Sequence, residues 1–523
     1  MTTHHEMWRP SASLWVIALS VMLPTVMEVL DSTMANVALP HMAGALSASQ
    51  DESTWVLTSY LVSNAIVLPM TGWISSRLGR KNFLMSCVVL FTLASAWCGA
   101  ATSMPMLILA RVVQGAAGGA LQPLSQAILM ESAPPEKRGA TMAIFGMGVV
   151  VAPIIGPTMG GWITDNYSWR WMFFINFPVG ILALLMCQTF IEDPPYLRVA
   201  KAGKRSVDYI GFLFMALWLA TLQIILDKGQ RDDWFEATWI KYFSVVSVAS
   251  MIAFVIRELR AKDPIVNLRI LKNTNFAVGT AMMTLLGMVL YATVTLQPLF
   301  LQLLMGYSAL DSGLALSPRG IGAITALLIV GRIVGRIDNR ILICFGFSVI
   351  GAVSFSFAGI NLDITRADIG WPNVLMGFAM GCTFVPLTMS AMGGLSQQQM
   401  GNATGIFNLM RNIGGGIGIS IVTTMLSRGA QVHQANLVRT MTATNPQFQQ
   451  SLHGMTAHFA QSMDPVQAKQ TALALLGSQL DQQANLMAYI DNFRLLGVLC
   501  LVCVPLALFL RRQRAVARDV PMH

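Results

Sequence analysis

The chain has 523 residues, 54% of them apolar and 11% charged, with 34 Lys and Arg against 25 Asp and Glu for a net charge of +9. Soluble domains carry about 25% charged residues, so this composition cannot cover a water-facing surface, and the same scarcity excludes a basic nucleic-acid binder. Disorder needs low hydrophobicity and is excluded as well, which leaves an all-α polytopic membrane protein.

A membrane helix needs about 20 mainly apolar residues. Such runs lie at 14–36, 54–74, 83–102, 105–128, 140–163, 171–191, 208–226 and 237–256. Six more follow at 275–298, 311–331, 341–360, 371–393, 402–425 and 488–510, predicting fourteen spans. With the N-terminus inside, the cytoplasmic segments hold 22 Lys and Arg, among them Arg9, Arg77, Arg80, Lys81, Arg198, Lys201, Lys204, Arg205, Arg512, Arg514 and Arg518. The opposite side holds eight, so both termini are placed in the cytoplasm. The first span is too long for a cleaved signal peptide, carries Glu28 and Asp31, and lacks a small-x-small site.

The spans divide six, two, six: a bundle at 14–191 after the N-terminal segment 1–13, two inserted helices with their linkers at 192–274, and a bundle at 275–510 before the tail 511–523. Weak repetition supports the division. Gly72 with Arg77-Leu78-Gly79-Arg80-Lys81 follows the second span, and Gly331-Arg332, Gly335-Arg336, Asp338 and Arg340 follow the tenth. Basic loops in corresponding places are what duplicated bundles produce. The Gln-rich segment 427–486 is long for a loop and reads as a helical cap outside the membrane. In it, Asp464-Pro465 is a helix start, and Val466, Leu473, Leu476 and Leu480 recur at roughly helical spacing.

No GxxxxGK[ST] is present, no HExxH, and no Cys/His cluster. ATP binding, a metal site or any other cofactor is therefore not expected, and an ion gradient is the expected energy source. Cys500 and Cys503 have a CxxC spacing inside an uninterrupted apolar helix, where thiols are inert packing. The abundant Met suits an adaptable hydrophobic cavity, and it suits lipid-facing filler equally.

Charges inside spans are costly and usually functional. Glu28 and Asp31 are three apart on one face of the first span, and Arg111-x-x-Gln114-Gly115, followed by Gly118 and Gly119, lies in the fourth. Asp31 and Arg111 can approach across these two spans; a carboxyl set between burial and an arginine can load and release a proton. A static ion pair that fixes packing is the alternative. In the fifth span Gly148, Gly156, Gly160 and Gly161 permit close helix contact, while Pro157 bends the helix. In the thirteenth, Asn408 and Arg411 share a face that lines a cavity or makes an interhelical bond. Arg319 needs a buried partner, which the sequence does not name. Asn36, Asn64, Gln114, Gln122, Gln126 and Gln297 are further cavity candidates, with packing as the competing account.

These motifs together resemble the fourteen-span drug:proton antiporters of the major facilitator superfamily, closest to the EmrB-type exporters. The resemblance rests on the run Leu30 to Pro40 around Asp31, on Gly72 to Lys81, on Arg111 to Gly119, on Gly148 to Gly161 and on Gly401 to Gly418. Leu222-Gln223, Leu226-Asp227, Gly229, Asp233-Trp234-Phe235 and the segment 427–486 point to the EmrB-type branch. It implies the major facilitator fold and proton-coupled export of hydrophobic or amphipathic small molecules from the inner membrane. It also implies a periplasmic adaptor and an outer-membrane channel as partners, beside the lipid bilayer itself. It assigns proton coupling to Asp31 with Glu28 beside it, and proton transfer or gating to Arg111. The motif Gly72 to Lys81 normally has an acid before its first Arg, and Ser76 stands there; Arg77, Arg80 and Lys81 remain to hold the inward gate. The alternatives are a dedicated exporter of fatty acids, bile salts or siderophores and, more distantly, a membrane-embedded lipid-modifying enzyme.

Overall fold

A computed structural model describes residues 10–134, 136–194, 208–334, 336–439, 441–442 and 444–511. Arg9, Arg198, Lys201, Lys204, Arg205, Gly335, Arg512, Arg514 and Arg518, used above for orientation and repetition, lie outside these. Among the described residues the regular elements are helical, and thirteen helices are long and apolar enough to cross a membrane. A fourteenth is the fifth span, Arg138–Asn166, bent by 44° beside Pro153 and close to Pro157, each of which removes a helix hydrogen bond.

In chain order the other spans are Leu14–Ala45, Glu52–Leu78, Arg80–Gly99, Met104–Ser132, Trp171–Phe190, Tyr209–Lys228, Thr238–Arg260, Thr274–Leu304, Leu310–Ile333, Asn339–Phe357, Arg366–Met392, Gln397–Val438 and Pro465–Leu508. Polar caps start them where the apolar run begins. Ser49 and Glu52 form a capping box, as do Thr365 and Asp368, and Ser103, Asp208, Asn273 and Asp464 each accept a backbone N–H of the first turn. Burial alone would raise the Asp208 carboxyl, but the Arg257 guanidinium, its Nε at 2.9 Å, and the Gly211 amide hold it below the usual range.

Among the first six spans, the first packs on the fourth, fifth and sixth, the second on the fourth, and the third on the fourth and sixth. The last six pair in the same order: the ninth with the twelfth, thirteenth and fourteenth, the tenth with the twelfth, and the eleventh with the twelfth and fourteenth. Contacts between the two sets are paired as well. The fifth span meets the tenth and twelfth; the thirteenth meets the second and fourth. Close approach here depends on glycine. A Cβ on Gly72 would lie 2.7 Å from the backbone N of Asn402, while one on Gly331 would lie 3.2 Å from the Ala143 Cβ. Both contacts sit at the end of the molecule that carries Arg77, Arg80 and Lys81, the basic end.

The seventh and eighth spans pack on each other, and the seventh also rests on the second and thirteenth. Thr58 donates to Asp227 and Lys228 to Thr54, while the Trp234 Nε1 donates to the Thr424 Oγ1 at 3.1 Å. The insertion thus touches both sets of six.

Much of the segment 427–486 continues its neighbouring spans as helix. The helices Met400–Val438 and Pro465–Leu508 have 39 and 44 residues. At 1.5 Å per residue they run ~58 and ~66 Å. A bilayer with its headgroups is ~45 Å thick, so both project as rods beyond the end opposite the basic one. Gln434 to Asp481 at 2.7 Å and His433 to Asp491 at 2.8 Å join them, and the helix Pro446–Phe459 packs alongside through Leu452, Ala472 and Leu476. Asp464 caps as expected, but the buried stripe is Ala468, Ala472, Leu476, Leu480 and Ala484. Val466 and Leu473 are exposed, because the four-residue step from Ala468 to Ala484 leaves both off the buried face.

Candidate functional site

Asp31 and Arg111 meet as their sequence positions allowed. The Arg111 Nη1 lies 2.6 Å from the Asp31 Oδ2, and both side chains are fully buried. The second carboxylate oxygen accepts from the Gln114 Nε2 at 2.9 Å and from the Asn176 Nδ2 at 2.7 Å. The Arg111 Nε donates to the Val56 carbonyl at 3.1 Å, and its guanidinium lies 4.1 Å over the Tyr60 ring. One carboxylate therefore gathers donors from the fourth and sixth spans onto the first, and its arginine reaches the second. Four helices share a single charge pair, and charge-assisted bonds of this kind are the strong ones.

Glu28, one turn toward the basic end, forms a second centre. It accepts from the Tyr60 hydroxyl at 3.0 Å, the Asn64 Nδ2 at 3.4 Å and the Gln122 Nε2 at 2.6 Å. Gln122 in turn accepts from the Arg411 Nη2, and one turn along the Asn408 Nδ2 donates to the Gln126 Oε1 at 2.7 Å. The Asp31 centre lies wholly within the first six spans, whereas the Glu28 centre reaches across to the thirteenth.

At the basic end, Gly79 turns the chain between the second and third spans with φ +85°, a conformation that favours glycine. The turn delivers Arg80 to a buried ion pair with Glu131 at the end of the fourth span. The Lys81 Nζ donates to the Gln188 carbonyl at 2.5 Å and its backbone N–H to Asp193 at 2.9 Å, and Arg77 lies 3.9 Å over the Trp73 ring. Ser76 donates to the Trp73 carbonyl at 2.8 Å. The glycines of the fifth span seat it on the first: a Cβ at Gly148, Gly156 or Gly160 would strike Val26, Thr33 or Met34, and Gly161 is buried beside them. All seven cysteines are free.

The description of the Major Facilitator Superfamily matches residues 21–419. The chain belongs to that superfamily. Its Haemophilus influenzae relative, multidrug export protein EmrB, is 38% identical over 85% of this chain and 86% of its own. The fatty acid resistance protein FarB of Neisseria gonorrhoeae is 34% identical over 95% and 96%. Among solved structures, the human organic anion transporter MFSD10 is similar in fold, with a TM-score of 0.57 at 15% identity, covering 94% of this chain and all of that one. This member of the superfamily is thus a multi-pass membrane transporter for small molecules, of the exporter type, and not an enzyme.

Within this transporter the candidates separate. Asn64, Gln114, Gln122, Asn408 and Arg411 join the two centres. Arg319 finds its partner in another candidate, the Gln297 Oε1 at 3.0 Å, away from both centres on the tenth and ninth spans. Asn36 is exposed and, among the described residues, bonds only to the Ser32 carbonyl at 3.4 Å, so the structure does not bring it to either centre. Three residues of the network escaped the sequence reading: Tyr60, Asn176 and Glu131. Glu131 had a usable signal, since it is an acid inside a helix that runs to Ser132; an apolar window ends that span at residue 128 and leaves the acid outside. Asn176 carried the same signal as Asn64, an amide inside an apolar span, whereas Tyr60 is an ordinary residue for a membrane helix and nothing in its spacing marks it.

Proposed function

We propose that this transporter is a proton-coupled antiporter that exports hydrophobic or amphipathic small molecules across the bacterial inner membrane by alternating access. Both termini lie in the cytoplasm. The units 14–191 and 275–510 rock about the glycine contacts, with the insertion 192–274 between them. The observation that carries the reading is the full burial of Asp31 among the donors of Arg111, Gln114 and Asn176. A proton arriving at the Asp31 Oδ2 removes the anion that holds Arg111. The tie between the first and fourth spans then weakens, so proton loading changes how those helices can move. The mapping of Asp31 onto the family's first-span acid supports the same role, and Arg80 with Glu131 would close the cytoplasmic side.

The rods beyond the membrane support a tripartite arrangement, in which a periplasmic adaptor meets the helices past Gly429 and Asn485 and leads to an outer-membrane channel. A second reading, a dedicated fatty-acid exporter, is favoured by the likeness to FarB.

The test is substrate movement in proteoliposomes containing this chain alone under an imposed pH gradient. A lipophilic cation and a fatty-acid anion are compared, with an ionophore to collapse the gradient. Movement should follow the gradient in the wild type and vanish in Asp31→Asn, which keeps the shape and removes the titrating group. Gradient-driven transport surviving in Asp31→Asn refutes the assignment.

A further inference from the structure

The buried charges of this chain are unevenly compensated. Arg80 pairs with Glu131 and Arg111 with Asp31, but Arg411, 2% exposed in the thirteenth span, has no carboxylate within ion-pair distance among the described residues. Its Nη2 donates to the Gln122 Oε1, while its Nε and Nη1 meet no acceptor among the described residues. One turn toward the basic end, the Gln126 Oε1 accepts from Asn408 while its Nε2 is buried without an acceptor among the described residues. A guanidinium offers five N–H donors, and leaving donors unpaired in a desolvated site is costly. Glu28 is linked to this guanidinium only through Gln122, which donates to Glu28 and accepts from Arg411. Arg411 therefore lies within the membrane without a directly paired acid, at the place where the thirteenth and fourth spans meet across the two sets of six.

We propose that Arg411 and Gln126 form a binding site for the anionic head of an amphipathic substrate, a carboxylate on an apolar chain. The inference rests on the export reading above and names the substrate class for that site. The depth of Arg411 selects a transported acid over a membrane lipid, whose headgroup stays at the bilayer surface. Charge selects the anion. A cationic substrate brought to this place would face a guanidinium that no direct acid neutralises.

The prediction has a second arm through Glu28. Its carboxylate is the competing negative charge, so Glu28→Gln should tighten anion binding while Arg411→Gln loosens it.

The experiment uses the full chain in phosphatidylcholine nanodiscs, with calorimetric titration of laurate and, in parallel, of tetraphenylphosphonium. Arg411→Gln should weaken laurate binding about tenfold or more, the size of a lost charge-assisted bond, without weakening the cation. Glu28→Gln should strengthen laurate. Gln126→Glu, which sets an acid beside the same donors, should weaken laurate even where Arg411→Gln folds poorly; thermal unfolding of each variant identifies folded protein. The proposal is overturned if folded wild type binds no laurate, if Arg411→Gln leaves its affinity unchanged, or if both ligands weaken together. No pH gradient is present in these titrations. Failure of proton coupling in the proteoliposome assay therefore leaves their result standing, and the two readings fail separately.

Discussion

Replacing Gly72 by alanine gives the sharpest test of how the two sets of six spans meet. The added Cβ would lie 2.7 Å from the Asn402 backbone N, 2.8 Å from its Cα and 2.8 Å from the Gly401 carbonyl carbon. These are backbone atoms of the thirteenth span, so no side chain can swing aside. Restoring ordinary contact near 3.4 Å requires the second and thirteenth spans to part by about 0.7 Å at the basic end. Overpacking of this kind costs about 1–3 kcal/mol. Because the contact joins the two sets, the cost falls on the arrangement closed at the basic end, which should lose population about 5- to 150-fold relative to an open one. Gly331→Ala supplies the internal control at the equivalent contact of the tenth and fifth spans. There the new Cβ would sit 3.2 Å from the Ala143 Cβ and 3.4 Å from the Ala140 Cα, so the shift should be small. Spin labels on the basic loops, read by pulsed dipolar spectroscopy, report the separation. Gly72→Ala should lengthen the distance between the loops and slow transport, and Gly331→Ala should do so far less. Equal effects from both, or no change in either, would refute the argument from packing.

Two further predictions follow from the basic end and from the rods. Glu131→Gln leaves the buried Arg80 guanidinium without its anion and should cost about 3–5 kcal/mol, read as a lower unfolding temperature in nanodiscs; Arg80→Gln added to it should recover part of the loss. A melting temperature equal to wild type would show that the pair contributes nothing. Leu476→Asp should release the helix Pro446–Phe459 from the rod it packs on, at about 2–5 kcal/mol of local stability, and expose that segment to protease while vesicle transport continues. An unchanged digestion pattern would mean that the Leu452–Ala472–Leu476 contacts do not hold it.

The number of spans and their order are legible because hydropathy is a one-dimensional signal: a bilayer demands about 20 apolar residues whatever else the chain does. The same signal misplaces helix ends. The helix Pro465–Leu508 runs unbroken through Gln479, Asp481, Gln482, Gln483 and Asn485, since backbone hydrogen bonds inside a helix do not depend on the solvent outside it. Asp31 and Arg111 are legible for an opposite reason, as charges where charge is expensive, and cost singles them out before any contact is known. Tyr60 and Asn176, which complete the two centres, carry no such mark.

The chain's composition and order by themselves determine an all-helical membrane transporter with acids in its first span, an arginine in its fourth and glycines where helices must touch. Which group answers which is decided only by the tertiary structure. Gln122 and Arg411 stand 289 residues apart, and Asp31 and Asn176 stand 145 apart. No local periodicity links such positions. They meet because the fourth and thirteenth spans, and the first and sixth, pack side by side and bury these polar groups against one another.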